Sequence, residues 1–367
     1  MRQFFSILIL ILLFSSNITQ AQKTNLSIDL SSDIVVPKHY IITKVNEPIV
    51  IDGIGNESSW KRALFSDSFI DIEGVKTPKY DTKVKMLWDE NYLYVYAQME
   101  EPHVWGNLKQ RDTVIYYNND FEIFISPSGT TRNYGEIEIN SLGTVWDLFL
   151  NKPYRDKGKA DNHWNLDKLK SAIHIEGTLN NHSDTDSLWT VEMAIPIDRL
   201  IALKKGKSLR PKEGEQWRIN FSRVEWDFDI VNGTYQRKKG KDGKFLPEYN
   251  WVWSNQNVIN MHEPEKWGTI QFTNEKSSGN ILFIEDEDML VKQVAYALFR
   301  QTKFGKLKKL LKEKDRSTQT INVIYSDVDS LNSTFYKTNF GFEYKLKSDQ
   351  SNHTFIINET GVLKEIK

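Results

Sequence analysis

Apolar and polar positions alternate with a period of two through most of the chain between residues 80 and 272, the signature of strands with one buried face. Lys83 to Leu87 and Tyr92 to Tyr96 form two such runs separated by Asp89, Glu90 and Asn91, which predicts a hairpin. Further runs predict strands at Asp120 to Ser126, Tyr134 to Asn140, Val145 to Leu150, Ala172 to Gly177, Leu188 to Ile195, Gln216 to Trp226, Trp251 to Ser254 and Gly268 to Phe272. Short strands at fairly even spacing, broken by Gly, Asn and Asp, point to a mainly β chain folded as a sandwich rather than to an α/β sheet. Residues 22 to 45 are polar, carry Ser31, Ser32 and Pro37, and read as a linker or a lead-in strand.

The period changes after about residue 275. Between Glu285 and Lys314, Leu290, Val294, Ala297 and Leu298 recur at helical spacing and predict one long amphipathic helix. Its basic end, Lys306 to Lys314, suits a helix C-terminus and reads as a solvated face rather than a contact for nucleic acid or lipid. Residues 321 to 367 return to short alternating runs with a turn at Asn358 to Gly361, so 280 to 367 reads as a small α+β appendage without a chemical motif.

The alternation also sorts side chains by face. In Asp120 to Ile125, Phe121, Ile123 and Ile125 share an apolar face while Asp120 and Glu122 point the other way. Glu136, Glu138 and Asn140 alternate likewise with Ile137 and Ile139. Two neighbouring strands can thus present carboxylates and an amide on one face opposite the core, either as a solvated sheet surface or as a binding surface.

Export changes the picture at the N-terminus. Met1, Arg2 and Gln3 precede an apolar stretch from Phe4 to Phe14, and Thr19, Gln20 and Ala21 supply a small-residue exit. A basic start, a short apolar segment and that exit predict a secretory signal peptide cleaved after Ala21, with no membrane insertion afterwards and a periplasmic or extracellular destination. The chain has no cysteine, so no disulfide supports it. Its 48 basic and 49 acidic side chains nearly cancel, which argues against nucleic acid and for neutral partners. Eleven Trp and fifteen Tyr supply flat rings for stacking on sugars as well as for filling a β core. There is no Gly-x-Ser-x-Gly elbow, His-Glu-x-x-His helix or phosphate loop, and the histidines show no metal-ligand spacing.

The ordered elements resemble the family 9 carbohydrate-binding modules. The resemblance runs from Ile51-Asp52-Gly53 through Glu57, Trp60 and the Leu87 to Val95 hairpin, then Asp120 to Ile125, Tyr134 to Asn140, Trp189 to Pro196 and Trp217 to Arg223, and closes at Pro264 to Gly268. It covers roughly residues 46 to 274. It implies a two-sheet antiparallel β-sandwich related to DOMON domains, non-catalytic binding of an oligo- or polysaccharide, and a role supporting glycan degradation or uptake. In that family two Trp rings clamp a terminal sugar while polar side chains on adjacent strands bond its hydroxyls. On this correspondence Glu122 matches a sugar-bonding carboxylate and Asn140 a sugar-bonding amide, and Tyr116, with Tyr117 beside it, falls at the first clamp aromatic. Met261 stands at the second clamp position and Glu138 where the family carries an arginine, so the donor set differs. Trp253, with Trp251, Trp105 and Trp146, could rebuild the aromatic platform or fill the core.

Other chemistries remain in view at this level. Glu122 with Glu136 or Glu138 could form a glycosidase pair. A haem carrier of DOMON type would need Met261, His262 or His103 as axial ligands, and adjacent residues on a regular strand face opposite ways. No cofactor is expected; structural calcium is left open, with Asp120, Asp227 and Asp229 as hard oxygen donors but no calcium-loop spacing.

Overall fold

A computed structural model describes residues 26–204 and 210–366. The signal-peptide expectation falls on residues outside that range. The strands, in chain order, are β1 (Leu26–Asp29), β2 (His39–Lys44), β3 (Ile70–Asp71), β4 (Thr82–Trp88), β5 (Tyr92–Glu100), β6 (Asp120–Ser126) and β7 (Tyr134–Asn140). They continue with β8 (Val145–Leu150), β9 (Ala160–Asp161), β10 (Lys170–Glu176), β11 (Leu188–Pro196), β12 (Gln216–Glu225), β13 (Phe228–Val231), β14 (Thr234–Arg237), β15 (Tyr249–Val252) and β16 (Gly268–Phe272). The C-terminal strands are β17 (Thr318–Ile324), β18 (Ser330–Lys337), β19 (Phe342–Lys347), β20 (Thr354–Asn358) and β21 (Leu363–Ile366). Helices are few: α1 (Ser58–Arg62), α2 (Ile197–Ala202) and α3 (Met289–Phe304). Among the described residues no helix is long and apolar enough to cross a membrane.

The period-two runs become the two layers of a sandwich. One layer runs β10-β11-β5-β4 and the other β16-β12-β6-β7-β8-β9, with β15 and β3 extending it beside β12. Strand β2 joins them, pairing in parallel with β16 on one side and with β4 on the other. The sandwich therefore begins at residue 39, ahead of the boundary at 46, because the lead-in segment is needed to bridge the layers. Between the layers lie Phe121, Ile123, Ile125, Ile137 and Ile139 from β6 and β7, facing Val84, Met86, Val95, Val191 and Met193. Burying a large apolar side chain of this kind is worth roughly 1.5–3 kcal/mol. The β4–β5 hairpin turns where Asp89 Oδ1 accepts the backbone N–H groups of Asn91 and Tyr92, both at 2.7 Å, an Asx turn that fixes the register.

A buried ion triad ties the layers at one end. Arg223 on β12 donates to Glu101 and to Glu225, both at 2.9 Å, and to the Thr82 hydroxyl at 3.1 Å. Charge buried with its counter-charge and fully hydrogen-bonded avoids the desolvation penalty of an unpaired ion.

The C-terminal unit is a sheet ordered β1-β17-β18-β19-β20-β21, covered by α3. Val294, Ala297 and Leu298 are buried as the helical spacing required. The helix is shorter than the expected 285 to 314, ending at Phe304. Gly305 leaves the helical conformation, the Gln301 side chain accepts the Lys306 N–H at 2.9 Å, and the basic stretch forms a separate 3-10 turn at Lys308–Lys312. Residues 26–29, expected as linker or lead-in, supply the edge strand β1 of this distant sheet, Leu26 lying opposite Ile321.

Candidate functional site

The outward side chains of β6 and β7 form a grid. Glu122 stands directly opposite Glu138, Phe124 opposite Glu136 and Asp120 opposite Asn140. The row through Glu122 extends to Ser222 on β12 and, past Glu138, to Trp146 on β8. Directly opposed like charges in adjacent strands are unfavourable even on a wet surface. Here the face is also covered: every residue of β6 and β7 is buried. A second small core of Ile72, Phe124, Tyr134, Leu148, Val252 and Trp267 covers much of this outer face and leaves a cavity of about 370 Å³ over the acids.

Glu122, Glu136 and Glu138 line that cavity, with Tyr116, Trp146 and Tyr154 as aromatic walls and Met261 and His262 closing one side. Asp120, two residues along β6 from Glu122 on the same face, is fully buried. Among the described residues no Lys or Arg lines the cavity. The consequence is electrostatic. Burial, then the Glu122 and Glu136 charges, push the Asp120 carboxyl well above its ordinary range. Burial and Glu122 do the same to Glu136, and burial with Asp120, Glu122 and Glu136 to Glu138. Glu122 is raised to about 7, by burial first and by Glu248 second, against a lowering hydrogen bond from Ser222. The acids titrate as a group that retains protons near neutrality.

Their hydrogen bonding is incomplete. Glu138 Oε2 accepts the Tyr116 N–H at 3.0 Å, and Trp226 Nε1 donates to Tyr116 O at 2.7 Å, so the turn bearing Tyr116 is held against β7. Glu136 Oε2, Trp146 Nε1 and Asn260 Nδ2, all on the cavity wall, have no protein partner. Neither Asp120 oxygen has one in hydrogen-bonding geometry, although the Val224 N–H approaches closely enough to favour its charged form slightly. On the opposite wall Tyr134 and His262 bond at 2.9 Å, and burial lowers His262 to about 4, leaving it neutral. Gln256 donates to Met261 Sδ at 3.1 Å and Trp267 Nε1 to Met261 O at 2.7 Å, which fix that wall.

The sequence profile described as "Carbohydrate family 9 binding domain-like" matches residues 51–275. The chain belongs to this family. No curated protein sequence matches it. Similar solved structures include a provisionally described carbohydrate-binding protein from Bacteroides uniformis ATCC 8492, at 16% identity and TM-score 0.47, covering 65% of this chain and 100% of that one. A family 9 carbohydrate-binding module from Caldicellulosiruptor kristjanssonii is similar in its cellotriose complex, at 16% identity and TM-score 0.42, covering 68% of this chain and 100% of that one. Its glucose complex gives 17% and 0.42, covering 66% and 99%.

The family 9 correspondence brings Tyr116, Glu122, Glu138 and Met261 to one cavity. It does not do so for the others. Trp253 sits in the inter-layer core, 2% exposed and packed near Phe221, where Gly268 makes room: a Cβ there would come within 2.3 Å of the indole. Asn140 is consumed locally, its Nδ2 donating to Leu108 O at 2.8 Å and its Oδ1 accepting the Leu142 and Thr144 N–H groups at 3.1 and 3.0 Å. The amide thus ties together the loops at 105–118 and 140–144. Tyr117 is exposed, stacks beneath Arg237 and does not line the cavity.

Two further expectations change. Asp227 and Asp229 are surface acids paired with Lys79 and Lys238, so of the suggested calcium donors only Asp120 joins the carboxylate cluster. Met261 and His262 lie in an irregular segment and both line the cavity, so strand alternation does not separate them. Their polar atoms already engage Gln256 and Tyr134. Tyr154 was not singled out in the sequence, because it sits in a 3-10 turn where no periodicity marks a facing.

Proposed function

We propose that the chain binds carbohydrate without transforming it, holding a sugar unit of an oligo- or polysaccharide in the cavity above Glu122 and Glu138. The observation that carries this reading is the set of unused donors and acceptors inside aromatic walls. Trp146 Nε1 and Asn260 Nδ2 can donate and Glu136 Oε2 can accept, which matches hydroxyl groups that do both. Tyr116, Trp146 and Tyr154 offer ring faces to sugar C–H groups. The cavity volume falls within the roughly 300–1,000 Å³ of small-ligand sites. Family membership supports the same class of ligand.

Cleavage is disfavoured by geometry. Glycosidases hold their two carboxyls across the scissile bond, about 5–9.5 Å apart. Glu122, Glu136 and Glu138 instead project from neighbouring positions of one sheet face, so none of these pairs flanks a bond from two sides. A glycan array followed by calorimetry tests the binding reading. Trp146→Ala and Tyr116→Ala should each weaken the best ligand at least about tenfold, near 1.4 kcal/mol; unchanged affinity in both removes this cavity as the site. Export belongs to the same reading and rests on residues 1–21, as does a role in glycan degradation or uptake. N-terminal sequencing should find Gln22 first in the exported chain, and retention of Met1 would refute it.

A further inference from the structure

The acids of the cavity have a geometry that sugar recognition alone does not account for. Asp120, Glu122 and Glu138 each place one carboxylate oxygen within 4.8 Å of the other two, and all three are buried. Oxygens sharing one calcium ion at about 2.4 Å from it stand about 3.4–4.8 Å apart, so the spacing fits a single coordination sphere. Elsewhere the buried acids have partners: Glu101 and Glu225 meet Arg223, Glu265 meets Arg300, and Glu192 accepts from Trp60 and backbone N–H groups.

A second observation is independent of the spacing. Both oxygens of the fully buried Asp120, and Oε2 of the buried Glu136 beside the triad, lack a hydrogen-bond partner. Unsatisfied buried oxygens are rare and call for a missing partner. That partner must be positive or donate strongly, and among the described residues neither Lys nor Arg lines the cavity. At the triad the donors are carboxylate oxygens without Cys or His ligands, which selects a hard divalent cation over zinc or copper.

We propose that Asp120, Glu122 and Glu138 hold a hard divalent cation of the calcium type on the cavity floor, where its remaining coordination positions meet the hydroxyls of the bound sugar. The second half of this statement rests on the carbohydrate reading; the first does not. The cation neutralises the opposed Glu122 and Glu138 and gives the cavity a positive centre where the resembling family has an arginine. Glu122 and Glu138 line the cavity and Asp120 stands beside them, two residues along β6 on the same face, so the ion is held from the side by Asp120 and faces the cavity through the other two. Vicinal hydroxyls then replace its water ligands as the sugar enters.

The test uses the full chain stripped with chelator and titrated with calcium alone, then with magnesium alone, by equilibrium dialysis. Terbium(III) luminescence excited through Trp146 and Tyr116 reports the location. The expected result is one calcium per chain with a dissociation constant below 1 mM, weakened at least tenfold in Asp120→Asn and in Glu138→Gln. Both variants keep side-chain shape and remove a repelling charge, so their melting temperature without metal should match or exceed the parent's. The surface variant Asp242→Asn should bind calcium as the parent does. Absence of saturable calcium or magnesium binding below 1 mM, or binding unaffected by both variants, overturns the cation site whatever the glycan result. Glycan affinity is then compared with and without chelator. A fall of tenfold or more on chelation supports the bridging role, and unchanged affinity overturns it while leaving carbohydrate binding intact. Saturable calcium binding with no glycan bound in either condition overturns the carbohydrate reading and leaves the ion in place.

Discussion

Two buried acidic clusters lie at opposite ends of one short segment, residues 259–266, and they are handled in opposite ways. At one end Met261 and His262 line the cavity with the carboxylates of β6 and β7, where no Lys or Arg of the described residues joins them. At the other, Glu263 and Glu265 meet Arg300 of α3, Nε lying 2.5 Å from Glu265 and Nη1 3.7 Å from Glu263, with Lys266 3.0 Å and Arg155 2.6 Å from Glu263. Burial would raise the Glu263 carboxyl, but Arg300, Lys266 and Arg155 outweigh it and hold it below its ordinary value. Equal burial therefore gives opposite protonation. The difference teaches that the acids of the cavity do not stabilise the fold as those at the interface do: three cations neutralise the interface acids, and among the described residues no Lys or Arg lines the cavity.

The contrast can be broken first at the compensated end. Arg300→Met leaves two buried acids short of their main partner, which should cost about 3–5 kcal/mol in urea unfolding and loosen the C-terminal unit. A loss under about 1 kcal/mol would show that the network contributes nothing. The next effect is at the uncompensated end. Glu122 binds its proton more tightly folded than unfolded, because its folded value of about 7 exceeds the model-compound 4.5. Its contribution is thus fully present below pH 4.5 and lost as pH rises through 7. Metal-free protein should lose on the order of 2–3 kcal/mol across that window relative to Glu122→Gln. Parallel pH profiles for the two would refute the assignment.

Smaller effects separate the wall from its surroundings. Trp146→Ala should reduce glycan affinity about tenfold with only a modest change in melting temperature, since the ring is partly exposed. Tyr117→Ala, outside the cavity, should alter affinity less than about threefold by calorimetry. A larger loss at Tyr117 than at Trp146 would move the sugar platform to the Arg237 surface.

The architecture was legible in sequence where a side chain's facing follows from its neighbours. The alternation in 120–126 and 134–140 gave both the core face and the shared carboxylate face, because parity is a local property of a strand. Whether that face is wet was not legible: it is roofed by Ile72, Met261 and Trp267, which approach only after the chain has turned many times. The same reason hid the surroundings of Trp253 and Asn140. Trp253 follows β15 in the parity of Trp251 and so falls inward, and Asn140 ends β7 where a turn takes up its amide. The family correspondence carried Tyr116, Glu122 and Glu138 to the cavity, yet Tyr154, Asn260 and His262 come from irregular segments that no repeat announces.

Strand β1 has a further consequence. Its partner β17 is almost three hundred residues away along the chain, so the first described residues complete the last sheet. Closing so long a loop in an unstructured chain costs on the order of 5 kcal/mol. Prior folding of the sandwich reduces that cost by bringing β2 and β16 side by side, which delivers both flanks of the sandwich to one edge. During synthesis β1 must therefore wait unpaired until the ribosome has released β17, and no single cut divides the molecule into two self-contained parts.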